Sequence, residues 1–190
     1  LLAPVTAAAM MLTACGGGGG GGQGSGGAGT NDINAMDRSK VQTGGTLRWP
    51  IDSMPTNFNY YEIDGNEDIT FQVLRALMPM AFYSDAAGTP YVNKDLLDSA
   101  KLKSTDPKQV VEYKINSKAT WDDGTPITAA DFKALWKANN GTDEAYQITS
   151  ANGYEQIESV EQGSTERDVT VTFKDKYADW QGLFSPLYPA

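Results

Sequence analysis

Two pairs of carboxylates are the first candidates for chemistry, Asp122 with Asp123 and Glu155 with Glu158. Paired acids cleave glycosidic bonds when one protonates the leaving group and the other attacks or activates water across a defined gap. Side chains that are neighbours on a turn or strand point in different directions, so neither pair favours a reaction by its spacing. The chain has no histidine, which removes the commonest general base and metal ligand. Its single cysteine is Cys15, so disulfides, zinc sites and cysteine catalysis are excluded from the rest of the chain. Asp64, Glu67 and Asp68 form an acidic group, but their spacing does not match an EF-hand loop, and they read as the start of a helix. With 24 acidic and 15 basic side chains the net charge is −9, and no Lys/Arg cluster is present, so nucleic acid is not expected as a partner.

The sharpest local pattern is a corner, not a catalytic constellation. It runs Ala119-Thr-Trp121-Asp-Asp123-Gly124-Thr-Pro-Ile-Thr128-Ala-Ala-Asp131-Phe132. A strand arrives from Val110, and Asp123-Gly124 turns the chain because glycine accepts a positive φ. Thr128 then offers a hydroxyl to the first N–H groups of a helix, with Asp131 three residues on, a shortened capping box. Phe132, Leu135 and Trp136 give that helix one apolar face, and Asn139-Asn140-Gly141 ends it.

The elements around the corner follow from periodicity. Leu47, Trp49 and Ile51 alternate and predict a strand, with Pro50 marking an edge or an end. Residues 52–61 contain Pro55, Asn57 and Asn59 and read as an irregular loop, either a plain surface loop or a place for ligand contacts. A helix is expected from Ile69 to Leu77, stopped by Pro79. Residues 80–92 predict a hairpin or a strand with a broad turn, and Leu96 and Leu97 pin the next segment to the core. Strands are expected at 110–116, with Val111, Tyr113 and Ile115 on one face, at 157–161, and at 169–173.

The first residues are of another kind. Residues 1–14 are apolar, uncharged and too short to span a bilayer, and resemble the apolar core of a secretory signal peptide. Leu12-Thr13-Ala14-Cys15 resembles a bacterial lipobox, with Cys15 as the lipidated residue. The alternative is an ordinary signal peptide with an incidental cysteine. Seven glycines follow, and residues 15–45 read as a flexible tether with a reach on the order of 30 Å. Acyl chains contribute about 0.8 kcal/mol per buried methylene, so two or more would hold the chain at a membrane face.

Gly44-Gly-Thr-Leu-Arg48, the loop through Pro55 and Asn57, Asp85-Ala-Ala-Gly88-Thr-Pro90, Tyr113-Lys-Ile-Asn116 and the corner occur in an order that resembles the family 5 extracellular solute-binding proteins. These are the oligopeptide-, dipeptide- and nickel-binding components of ABC importers. Asn116-Ser-Lys-Ala119, Gly153-Tyr154 and the tail from Leu183 to Pro189 resemble actinobacterial members most. The resemblance covers residues 44–190. It implies an α/β fold: the N-terminal part of a type II-like periplasmic-binding fold, with a mixed sheet and short helices. Residues 46–190 would be the first strand of lobe 1 plus a small inserted domain. The second lobe, with the acidic residue that holds a peptide's α-amino group, would be absent from this chain.

The resemblance further implies binding without chemistry or cofactor. A lipid-anchored, monomeric protein on the extracytoplasmic face would capture a peptide or peptide-like solute and deliver it to permease subunits. Ser53, Met54, Pro55 and Asn57 are the expected ligand contacts, their position carried over from the family. Trp121, Asp123, Gly124, Thr128 and Asp131 are assigned to architecture. A surface-anchored adhesion or structural module is the alternative, and a cell-surface hydrolase built on a carboxylate pair is a further one.

Overall fold

The computed structural model describes residues 37–190, so the signal-like segment, Cys15 and most of the glycine-rich stretch lie outside the described residues. After a single 3-10 turn at Arg38–Lys40, the elements are α1 (Asp68–Leu77), β1 (Phe82–Ser84), β2 (Pro90–Val92), β3 (Leu97–Ser104), β4 (Val110–Ile115), α2 (Ala129–Asn139), β5 (Ile157–Gln162) and β6 (Asp168–Phe173). A second 3-10 turn, Trp180–Gly182, leads into the tail. Strands β1 and β2 form a two-stranded hairpin, and the other four form a sheet ordered β3-β4-β6-β5. The expected combination of sheet and short helices is present, but the sheet is not mixed: every pairing between these strands is antiparallel.

The sheet carries its apolar side chains on one face. Register places Leu102, Val111, Val171 and Val160 in one row across four strands, and Tyr113 beside Val169 in the next. Val111, Val160, Val169 and Val171 are buried, while Lys101, Lys114 and Glu161 on the other pleat are exposed. Helix α2 lies across β5 and β6 and adds Phe132 and Leu135 to the core. Tyr113, Phe132 and Phe184 meet there with ring centroids 4.9–5.7 Å apart. These spacings are in the range where edge-to-face and offset aromatic pairs attract.

Two local expectations need correction. Residues 46–51 are not a strand. Leu47 is 84% and Trp49 70% exposed, and no strand among the described residues pairs with them. Alternation gives a segment a face to bury, but a strand also needs a neighbour to take its N–H and C=O groups. Conversely, β3 was not expected from the pattern. Its apolar residues Leu97, Ala100 and Leu102 are out of strict alternation because the register shifts between Leu97 and Ser99.

Candidate functional site

The corner owes its shape to one short hairpin and one carboxylate. The Trp121 N–H donates to Thr125 O at 2.8 Å, and the Gly124 N–H to Trp121 O at 3.0 Å. Gly124 takes φ 87°, a left-handed conformation that a side chain would strain. Asp123 accepts from both the backbone N–H and the hydroxyl of Thr125, at 2.8 and 2.7 Å. Those two bonds hold its carboxyl below the usual range, the hydroxyl being the larger cause. At the start of α2, the Thr128 hydroxyl accepts from Ala130 N, and the Thr128 N–H donates to Asp131 Oδ2 at 2.7 Å, closing the capping box.

Asp131 does more than cap. It is only 5% exposed, and its second oxygen, Oδ1, accepts from Trp121 Nε1 at 3.3 Å and from the Ala190 N–H at 3.0 Å. The sequence pattern identified the cap. It carried no signal for the two additional donors, one ten residues earlier and one in the tail.

The expected contact loop is divided by the structure. Ser53 and Met54 are exposed, Met54 at 73%. Pro55 is buried. Asn57 is half-buried and its side chain is engaged: Nδ2 donates to Glu62 Oε2 at 2.8 Å, and Oδ1 accepts from the Asn59 N–H at 2.8 Å. Asn57 therefore shapes the loop, and only Ser53 and Met54 present free side-chain surface.

A group of tyrosines ties this loop to the tail. The Tyr188 hydroxyl accepts from the Tyr60 N–H at 3.0 Å and donates to Phe58 O at 2.7 Å. The Tyr61 hydroxyl donates to Pro186 O at 2.8 Å and lies 3.1 Å from that of Tyr154, which in turn accepts from the Phe184 N–H at 2.9 Å. Burial raises the pKa values of both Tyr61 and Tyr154, the latter to about 12. Gly65 closes the same loop, since a Cβ built there would sit 2.0 Å from Asn59 O.

A separate cleft lies elsewhere among the described residues. It encloses about 660 Å3 between the end of α1, Tyr83, the Asn93–Leu96 turn and the corner, with Arg75, Leu77, Trp121 and Asp122 among its walls. None of Ser53, Met54, Pro55 and Asn57 lines it. One member of each carboxylate pair is engaged: Asp123 is bound to Thr125, and Glu158 is ion-paired with Lys108. No group of three or more acidic, histidine or cysteine side chains able to hold a metal occurs among the described residues. No helix among them is long and apolar enough to cross a membrane.

An antiparallel sheet with a capped corner helix packed across it, and a polar loop bonded to residues 184–188, frame the candidate site. Residues 92–190 match the family model described as bacterial extracellular solute-binding proteins, family 5 Middle. The chain belongs to that family. It is 40% identical over 156 residues to the oligopeptide-binding protein OppA of Mycobacterium tuberculosis, covering 82% of this chain and 26% of that protein. Among solved structures, the periplasmic EDTA-binding protein EppA superposes with a TM-score of 0.67 at 43% identity, over 71% of this chain and 25% of that one. The oligopeptide-binding protein AppA of Bacillus subtilis, solved with a nonapeptide, shares the fold at a TM-score of 0.56 and 19% identity, over 65% of this chain and 24% of that one. The chain therefore spans about a quarter of the length of these relatives.

Proposed function

We propose that this chain is part of the substrate-binding component of an ABC importer, capturing a peptide or peptide-like solute and carrying out no reaction on it. The observation that carries the reading is the 40% identity to an oligopeptide-binding protein, which runs through the corner and its capped helix over most of the chain. In this reading Ser53 and Met54 meet the solute, while Pro55 and Asn57 set the loop that presents them. Trp121, Asp123, Gly124, Thr128 and Asp131 hold the scaffold. The partners are permease subunits, and the mechanism is closure of two lobes on the solute with exclusion of water. Attachment to the extracytoplasmic face through a lipid on Cys15, and action as a monomer, belong to the same proposal. The lipobox-like residues 12–15 and the glycine tether support it.

A second solute class is favoured by one observation. The EDTA-binding protein is as similar to this chain as the oligopeptide-binding one, which makes a polycarboxylate chelate the second reading. Calorimetric titration of the full-length gene product with tri- to pentapeptides and with metal-EDTA separates the two. Saturable heat with peptides alone supports the first, and saturable heat with the chelate alone supports the second. Binding of neither, or turnover of a peptide or glycan, contradicts the proposal.

A further inference from the structure

The capping box at α2 needs one oxygen of Asp131, and Oδ2 supplies it to Thr128. Oδ1 is used elsewhere, on Trp121 and on the Ala190 N–H. Ala190 lies on a strap, residues 185–190, that is bonded along its length. The Ser185 hydroxyl accepts from the Ala81 N–H at 3.0 Å, and the Leu187 N–H donates to Pro79 O at 2.8 Å. Pro186 and Pro189 each fix φ, which limits how far the strap can bend between its attachment points. Two residues before Ala190, the Tyr188 hydroxyl holds both Phe58 O and the Tyr60 N–H. One buried carboxylate thus holds a stiff segment at Ala190, and the neighbouring side-chain attachment of that segment, at Tyr188, is the loop following Ser53 and Met54.

We propose that Asp131 is a positioning residue for the candidate contact loop: through Ala190 it sets the strap, and through Tyr188 the strap sets Phe58–Tyr61. The functional meaning of this coupling rests on the reading of the loop as a solute contact. The coupling itself does not, and it is tested without solute.

Asp131→Glu separates the two jobs of the side chain. Glutamate is the usual residue at this place in a capping box, so the helix start keeps its cap. Its extra methylene moves the second oxygen away from the position that serves Trp121 and Ala190. Amide hydrogen exchange of the whole chain, read by NMR, follows the Tyr60 N–H that donates to Tyr188. Asp131→Glu is expected to speed exchange at Tyr60 at least tenfold while leaving the helical amides of residues 133–138 within twofold of the parent. Tyr188→Phe, which deletes both loop bonds, should give a similar acceleration at Tyr60. Thr128→Ala, which weakens only the cap, should leave Tyr60 exchange nearly unchanged relative to the helical amides. Tyr60 exchange within twofold of the parent in Asp131→Glu overturns the coupling. So does an equal acceleration in Thr128→Ala, because the effect would then be general loosening. Either result leaves the solute-binding reading where the calorimetric titration puts it.

Discussion

Two buried tyrosines with opposite hydrogen-bond accounts show how single groups act in this fold. The Tyr154 hydroxyl serves the Phe184 N–H and meets Tyr61, whereas the Tyr113 hydroxyl has no partner among the described residues. Removing one member of a buried pair leaves the other unsatisfied, at a cost of about 1–3 kcal/mol, while deleting an unpaired hydroxyl removes a penalty. Tyr154→Phe should therefore destabilise the chain by about 1–2 kcal/mol. Tyr113→Phe should be neutral or stabilising by up to about 1 kcal/mol, both read from urea midpoints. Tyr154 also bears on stability at alkaline pH. Burial raises the pKa of Tyr154 from 10.0 to about 12, so the folded chain holds that proton more tightly than the unfolded one. The contribution is complete below pH 10 and is lost as pH climbs from 10 through 12, on the order of 2–3 kcal/mol for this group. Urea midpoints measured from pH 8 to 12 should be level up to about pH 9.5 and then fall. A flat profile to pH 12 would mean that Tyr154 ionises as freely as in the unfolded chain.

The elements that could be read from the sequence are those whose signals are local. Thr128 and Asp131 announced the start of α2, Gly141 its end, and the alternation of Val111, Tyr113 and Ile115 the strand β4. Helix α1 was legible from Ile69 to Leu77, one residue short of its observed start. Its N-cap, Glu67, makes no side-chain bond, so the acidic group there does not cap the helix in the way Thr128 does. Strand β3 is hidden by its register shifts, and the 46–51 segment alternates without forming a strand because pairing depends on a neighbour that alternation does not reveal. The candidate site was legible only as a stretch: Asn57 could be placed in a loop, but its bonds to Glu62 and Asn59 depend on the folded backbone. At this scale, Thr128→Ala should cost about 1 kcal/mol through the lost cap. Gly124→Val should cost more, because a β-branched residue must adopt φ 87°. Solute affinity per folded molecule should be nearly unchanged in both. A large affinity loss at an unchanged melting temperature would move these residues from scaffold to site.

Over the described residues the core is built without the 46–51 segment. Leu47 and Trp49 contribute little to it at 84% and 70% exposure, so Leu47→Ser with Trp49→Ser should change the stability of the chain by no more than about 0.5 kcal/mol. A loss above 2 kcal/mol would place this segment within the cooperative unit. The surface proposed to meet the solute lies beside the segment, at Ser53 and Met54, and not in the 660 Å3 cleft walled by Arg75 and Trp121. The decisive measurement is amide chemical-shift mapping of the isotopically labelled full-length gene product during titration with a tripeptide. Saturable shifts are expected at Ser53, Met54 and Asn57, with the amides of Trp121 to Asp131 unmoved. Shifts centred on Arg75, Trp121 and Asp122 instead, or none at millimolar peptide, would contradict that assignment.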